Sequence, residues 1–129
     1  MGYRSDVMAL IYPEPGDERS AKYDQLKVLM ATTFKEVSDA FDDPYMTWHD
    51  NECVLKFDIA NVKWYPSFPD VMAFEQMLST FKGYDDDDIK GYCTEFVRLG
   101  EESEDAEQSQ TGDNNEYYLQ VRRSIDCNV

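Results

Sequence analysis

Apolar residues along the first 41 positions follow two different periods. The stretch "GYRSDVMALIY" ends in a continuous apolar run of the kind found in buried strands, and "PEPG" at residues 13–16 ends it. This pattern predicts a first strand from Tyr3 to Tyr12. From Asp17 onward the apolar residues recur at spacings of three and four, which predicts one long amphipathic helix ending at about Phe41.

The middle of the chain predicts a hairpin and a second helix. The stretch "MTWHDNECVLKFDIANVKWY" has the pattern of a short strand, a turn at Asp50 and Asn51, and a longer strand. Ser67 followed by Asp70 three residues later is similar to a capping box, and Gly83 is typical of a residue that ends a helix. The predicted buried stripe of this helix is Val71, Phe74, Leu78 and Phe81.

Two further strands, "GYCTEFVRL" and "EYYLQVRRSI", are predicted on either side of an acidic hairpin loop over residues 100–115. The order is then strand, helix, two strands, helix, two strands. Two helices on one face of a mainly antiparallel sheet of about five strands, with the first strand central, would bury the apolar faces of such a chain. We therefore predict a single domain over residues 1–129 with an α+β, ferredoxin-like fold.

The charge of the chain is strongly negative and unevenly distributed. The formal charge is −15 over 129 residues, and residues 83–115 hold eleven acidic residues against Lys90 and Arg98. Such self-repulsion costs stability, which indicates a use for the charge. Carboxylates two residues apart on a strand are about 6.6 Å apart, close to the spacing of neighbouring phosphates along a nucleic-acid strand.

This charge pattern predicts a surface that mimics phosphates and binds a basic groove on a nucleic-acid-handling protein. Nearby tyrosines would supply anchors of the type enriched in interfaces. The candidate partner-binding residues are Asp85, Asp86, Asp87, Asp88, Glu101, Glu102, Glu104, Asp105, Glu107, Tyr84 and Tyr92. The alternative is that the acidic loop only keeps the protein in solution.

Direct binding of nucleic acid is not expected. The stretch "KGYCTEFVRL" partly resembles the strand signature of RNA-recognition modules, but two extra residues separate its aromatic positions and acidic residues flank it. A surface of this charge would repel phosphates.

Metal, cofactor and catalytic chemistry are not expected either. The contiguous aspartates at residues 85–88 lack the alternating ligand spacing of a calcium loop. The cysteines form no C-x-x-C pair, and His49 is the single histidine. A pair between His49 and Cys53 is conceivable, but their spacing alone is no evidence of catalytic geometry. Without an apolar run of eighteen residues or a leader-like segment, we predict a cytoplasmic protein without a membrane span.

Three stretches carry a resemblance to a family. The opening "MGYRSDV", the segment "VKWYPSFPDVMAFEQML" and the closing "YYLQVRRSI" resemble small acidic proteins of tailed bacteriophages. The resemblance implies a non-enzymatic protein that blocks a host defence or nucleic-acid-processing protein. We thus expect a host partner with a basic surface. The alternative hypothesis is an interaction or homodimerising module that uses the face or an edge of the sheet, for which Tyr118 and Arg122 are candidate contacts.

Overall fold

A computed structural model describes residues 4–42, 45–81, 89–101, 105–111, 120–121 and 125–126. Within them the chain forms seven strands and three helices. In chain order they are β1 (Ser5–Pro13), α1 (Arg19–Ala31), α2 (Lys35–Ala40), β2 (Met46–His49), β3 (Val54–Val62), α3 (Pro69–Thr80), β4 (Tyr92–Gly100), β5 (Ala106–Thr111), β6 (Gln120–Val121) and β7 (Ile125–Asp126).

The main sheet confirms the predicted fold class. Its five strands are arranged in the order β2-β3-β1-β4-β5, and every neighbouring pair is antiparallel. The central position of β1 between β3 and β4 is the ferredoxin-like arrangement, and β5 extends it by one strand at the edge of β4. The short strands β6 and β7 form a separate two-stranded sheet.

The main core lies between the helices and one face of the sheet. Strands β1, β3 and β4 contribute alternate residues to it, as the period-two pattern of β3 predicts. Phe74 of α3 is at its centre, since its ring lies 5.0 Å from that of Phe57 and 5.3 Å from that of Trp64, measured between centroids. Phe41 and Phe96 also pack against Phe74. This aromatic cluster fixes α3 on the sheet.

The first helical region is divided into α1 and α2, so the prediction of one continuous helix to Phe41 is wrong. Thr32 donates its hydroxyl to the carbonyl oxygen of Val28 at 2.7 Å, and the amide of Phe34 bonds to Leu29 rather than to Met30. Hydroxyl and β-branched side chains favour such a break. The break brings the ring of Phe34 to 5.3 Å from that of Phe81 in the core.

The start and the buried stripe of α3 also differ from the prediction. Its N-cap is Phe68, no side chain caps it, and Pro69 occupies the first turn, so Ser67 does not form a capping box. Asp70 instead accepts the amide of Val71 at 2.8 Å. Met77 is fully buried whereas Leu78 is only partly buried. Gly83 lies outside the described residues. No helix in the described part of the chain is long and apolar enough to cross a membrane.

The segment 100–115 contains strand β5, whereas the pattern predicts a loop. Thr94 through Leu99 of β4 pair in register with Ala106 through Thr111. Ladder hydrogen bonds order this polar stretch without an apolar face. The last predicted strand, "EYYLQVRRSI", is described only as the two residues of β6 and part of β7.

The second face of the sheet is also buried at its centre. Met8, Leu10 and Tyr12 of β1 pack there with Val54, Cys93 and Val97. Glu95 is fully buried on the same face and accepts the hydroxyl of Tyr12 at 2.6 Å. The central strand is therefore apolar on both sides, which explains its continuous apolar sequence.

Candidate functional site: the acidic end of the sheet

Charged side chains gather at the end of the sheet where β4 turns into β5. Ser5 lies opposite both Val62 and Gly100 in the ladders, and the amide of Gly100 donates to the carbonyl oxygen of Asp105 at 2.7 Å, which closes the hairpin. We call the acidic end the group formed by Arg4, Asp6, Arg98, Glu101, Asp105 and Glu107. It has four carboxylates against two guanidinium groups.

Arg98 holds two of these carboxylates. Its guanidinium donates to both oxygens of Asp105, at 2.7 and 3.2 Å, and to one oxygen of Glu107, at 2.8 and 3.1 Å. A further bond reaches the hydroxyl of Ser5 at 3.1 Å. The Arg98 side chain is only 11% exposed, whereas those of Asp105 and Glu107 are 32% and 57% exposed. The carboxylates thus face solvent while the cation lies beneath them.

These contacts favour the charged form of Arg98. Hydrogen bonds to Asp105 and then to Glu107 raise the pKa of the Arg98 guanidinium further above its usual value, against the opposite effect of partial burial. Arg98 consequently stays charged wherever the protein is folded. One cation shared by two carboxylates leaves a net negative charge in a fixed geometry.

A β-bulge in β3 positions the remaining charges of the acidic end. The register between β1 and β3 shifts at this point, and Asn61 has a φ of 56°. The amide of Asn61 donates to Asp6 at 2.8 Å, and its carbonyl oxygen accepts from Arg4 at 3.0 Å. The backbone amide of Arg4 in turn donates to the Glu101 carboxylate at 3.0 Å. The bulge therefore ties β1, β3 and the hairpin together.

The structure brings together three of the predicted partner-binding residues, Glu101, Asp105 and Glu107. Tyr92 is instead buried in the core, with its hydroxyl donating to the carbonyl oxygen of Lys22 at 2.7 Å, so it is not an exposed anchor. Glu95, one of the eleven acidic residues of this region, is likewise buried and does not belong to a surface stripe. The other predicted partner-binding residues lie outside the described ranges; they are Tyr84, Asp85, Asp86, Asp87, Asp88, Glu102 and Glu104.

In the sequence, one acidic segment precedes β4 and the other follows it. Lys90, which follows the four aspartates, precedes the start of β4 at Tyr92, whereas Glu101 follows its end at Gly100. Eight residue steps of extended strand separate these ends by about 26 Å. The acidic end therefore lies at the opposite end of β4 from Lys90.

Sequence reasoning missed the cations of this site. Arg98 is the central residue, but its role depends on the register that places it opposite Glu107. A prediction of β5 as the partner strand of β4 would have revealed this pair, because directly opposite residues on neighbouring strands contact each other. Arg4 and Asp6 have no comparable pattern in the sequence.

The other candidate chemistry lies at the turn between β2 and β3. Cys53 has a φ of 57° and its thiol lies 3.9 Å from the carbonyl oxygen of Asp50. Within the described residues no hydrogen bond joins His49 to Cys53, and the buried Nε2 of His49 has no partner. The nucleophile and base contact that a catalytic pair requires is therefore not formed here.

Lys27 of α1 lies beside this turn and contacts two aromatic rings and a carboxylate. The Lys27 ammonium lies 4.8 Å from the ring centroid of Tyr23 and 5.7 Å from that of Trp48, and it donates to Asp50 at 3.1 Å. Hydrogen bonds from Tyr23 and Lys27 lower the pKa of the Asp50 carboxyl. Burial, followed by the bond to Asp50, raises the pKa of Tyr23. These contacts fasten the turn to α1.

Comparison of the chain with models of protein families, with curated protein sequences and with solved structures gave no match.

Proposed function

We propose that this chain is a non-enzymatic binding protein that inhibits a host nucleic-acid-handling or defence protein through a phosphate-mimicking acidic surface. The acidic end is the described part of that surface. The observation that carries the proposal is the pair of carboxylates on Arg98, because Asp105 and Glu107 are held side by side, face solvent and retain a net negative charge.

Preorganisation is the physical advantage of this arrangement. A partner that binds these carboxylates does not have to order them, since Arg98 and the hairpin already do so. Lys and Arg side chains of a groove that recognises phosphates would meet oxygens at fixed positions, and the charge of −15 would steer their approach. Arg98 lowers the net charge of the site, so Glu101 and Asp6 supply much of the remaining attraction.

The alternative is an interaction or homodimerising module that uses the face or an edge of the sheet, and its candidate contacts Tyr118 and Arg122 lie outside the described residues. Use of the face receives less support. The central positions of the second face, among them Leu10, Tyr12 and Val97, are buried within the described structure. They are not available to a partner.

The test is capture of partners from bacterial host lysate by wild type and a neutralised variant, Glu101→Gln with Asp105→Asn and Glu107→Gln. Amides still accept hydrogen bonds from Arg98, so the hairpin should remain folded. The matched control is Asp24→Asn with Glu36→Gln and Glu52→Gln, which removes the same charge from exposed sites elsewhere.

We expect wild type and the control to capture a nucleic-acid-binding protein that duplex DNA displaces, and the neutralised variant to lose it. Capture must weaken steeply as salt is raised. Equal capture by the control and the neutralised variant would overturn the proposal for this site, and failure of DNA to compete would overturn the mimicry. A parallel variant with Asn at residues 85–88 tests the other acidic segment.

A further inference from the structure

A groove runs along the helix-facing side of the sheet, between α3 and β5. It has a volume of about 690 Å³. One wall is formed by α3 and the other by β5, with β4 as the floor. The described residues that line the groove include Glu75, Leu78, Ser79, Phe96, Glu107 and Ser109.

The groove exists because the sheet is wider than its helical layer. A helix with its side chains is about 10 Å across, which corresponds to about two strands spaced about 4.8 Å apart. The fifth strand extends beyond α3, and Glu107 and Ser109 on β5 are exposed. A further helix packed at the usual distance of about 8–10 Å from α3 would lie over β5.

The lining of the groove is apolar at its floor and anionic at both walls. The partly buried Leu78 and the largely buried Phe96 supply the apolar surface. Glu75 projects from α3 and Glu107 from β5, and the described lining residues include no Lys or Arg, while Arg98 holds the half-exposed Glu107 carboxylate from beneath. Within the described part of the chain Glu75 makes no hydrogen bond or ion pair, so its charge is available to a partner.

We propose that this groove binds a basic amphipathic helix of the partner protein. Its apolar face would pack on Leu78 and Phe96, and Lys or Arg side chains on its two flanks would pair with Glu75 and Glu107. This inference rests on the proposed function, since it names the element of the basic partner that is recognised next to the acidic end. A second copy of this chain is a poor occupant, because it would bring its own charge of −15.

The probe is a fluorescein-labelled peptide of about 16 residues, four to five helical turns, with Leu on one helical face and Lys on both flanks. A control peptide has the same composition in an order that removes the apolar face. Fluorescence anisotropy in about 150 mM salt should show the amphipathic peptide binding wild type about tenfold more tightly than the control peptide.

Two matched variants locate the binding. Ser79→Arg adds a cation and bulk inside the groove, whereas Ser20→Arg adds the same side chain at an exposed helical position outside it. We expect Ser79→Arg to weaken binding of the amphipathic peptide about tenfold and Ser20→Arg to change it less than about twofold. Amide NMR shifts should be largest at Leu78, Phe96 and Ser109.

Equal affinity for the two peptides, or equal effects of the two variants, would overturn the groove proposal. So would NMR shifts confined to the acidic end, which would mean binding by charge alone. None of these results affects the proposed function, because that depends on capture by the acidic end. If the neutralised variant captures partners normally while Ser79→Arg loses the peptide, the proposed function fails and the groove remains a helix-binding site.

Discussion

Replacing Arg98 with Met should destabilise the fold by about 2–3 kcal/mol. The bidentate pair with Asp105 is mostly shielded on the Arg98 side, and hydrogen bonds to charged groups contribute roughly 1.5–3 kcal/mol when shielded. Glu107 is more than half exposed, so its pair adds only about 0–1 kcal/mol. Met keeps most of the apolar stem, so lost packing contributes little.

The measurements are urea denaturation and thermal melting, both followed by circular dichroism. For a chain of this length each kcal/mol corresponds to roughly 3–5 °C, so the melting temperature should fall by about 6–15 °C. The control is Lys35→Met, which removes an i, i+4 pair with Asp39 of the same 2.7 Å nitrogen–oxygen distance but with both side chains 65% exposed. Its expected cost is below about 0.5 kcal/mol.

The difference between the stability losses of Arg98→Met and Lys35→Met tests whether burial strengthens the Arg98 ion pairs. If both cost the same within about 0.5 kcal/mol, burial does not distinguish the two ion pairs, and Arg98 cannot be said to order the acidic end. A double-mutant cycle of Arg98→Met with Asp105→Asn should give a coupling energy of at least about 1 kcal/mol, as is usual for residues in direct contact.

Three further changes test other parts of the structure. The raised pKa of Tyr23 means that the folded protein keeps a proton the unfolded chain releases near pH 10. The free energy of unfolding should therefore fall as pH rises above about 10. Tyr23→Phe should reduce the difference between the urea midpoints measured at pH 8 and at pH 11. An equal difference in wild type and variant would contradict this prediction. Cys53→Gly should stabilise by up to about 1 kcal/mol in thermal melts, because φ is positive there, while Cys53→Ala should bring no gain. Phe74→Ala should cost about 3–5 kcal/mol in urea titrations, and a cost below about 2 would show that the aromatic cluster does not fix α3.

The central part of the fold was predictable because its buried positions form clear patterns of apolar residues in the sequence. Strand β1 is apolar on both faces and reads as one continuous run, and β3 alternates because Lys56 and Asp58 face away from the main core. The helix break was not predictable from period alone. It depends on Thr32 and on a bond from the hydroxyl of Ser38 to the carbonyl oxygen of Met30, which satisfies the end of α1.

Strand β5 shows why Arg98 was missed as the central residue of the candidate site. Its side chains from Ala106 to Ser109 are exposed, so no hydrophobic pattern marks it. Backbone pairing with β4 makes it a strand, and that pairing depends on the hairpin closed by Gly100 and Asp105. Clustered acidic residues could be seen in the sequence, but their partner Arg98 is fixed by the register of the hairpin.

The central position of β1 has a consequence for synthesis. This strand leaves the ribosome before both of its partners, and β4 begins about eighty residues after it, at Tyr92. At roughly 5–20 residues per second, an apolar strand waits on the order of ten seconds with at least one edge unpaired before its second neighbour is made. Its apolar run from Val7 to Tyr12 is therefore the segment of the nascent chain that most needs protection from aggregation.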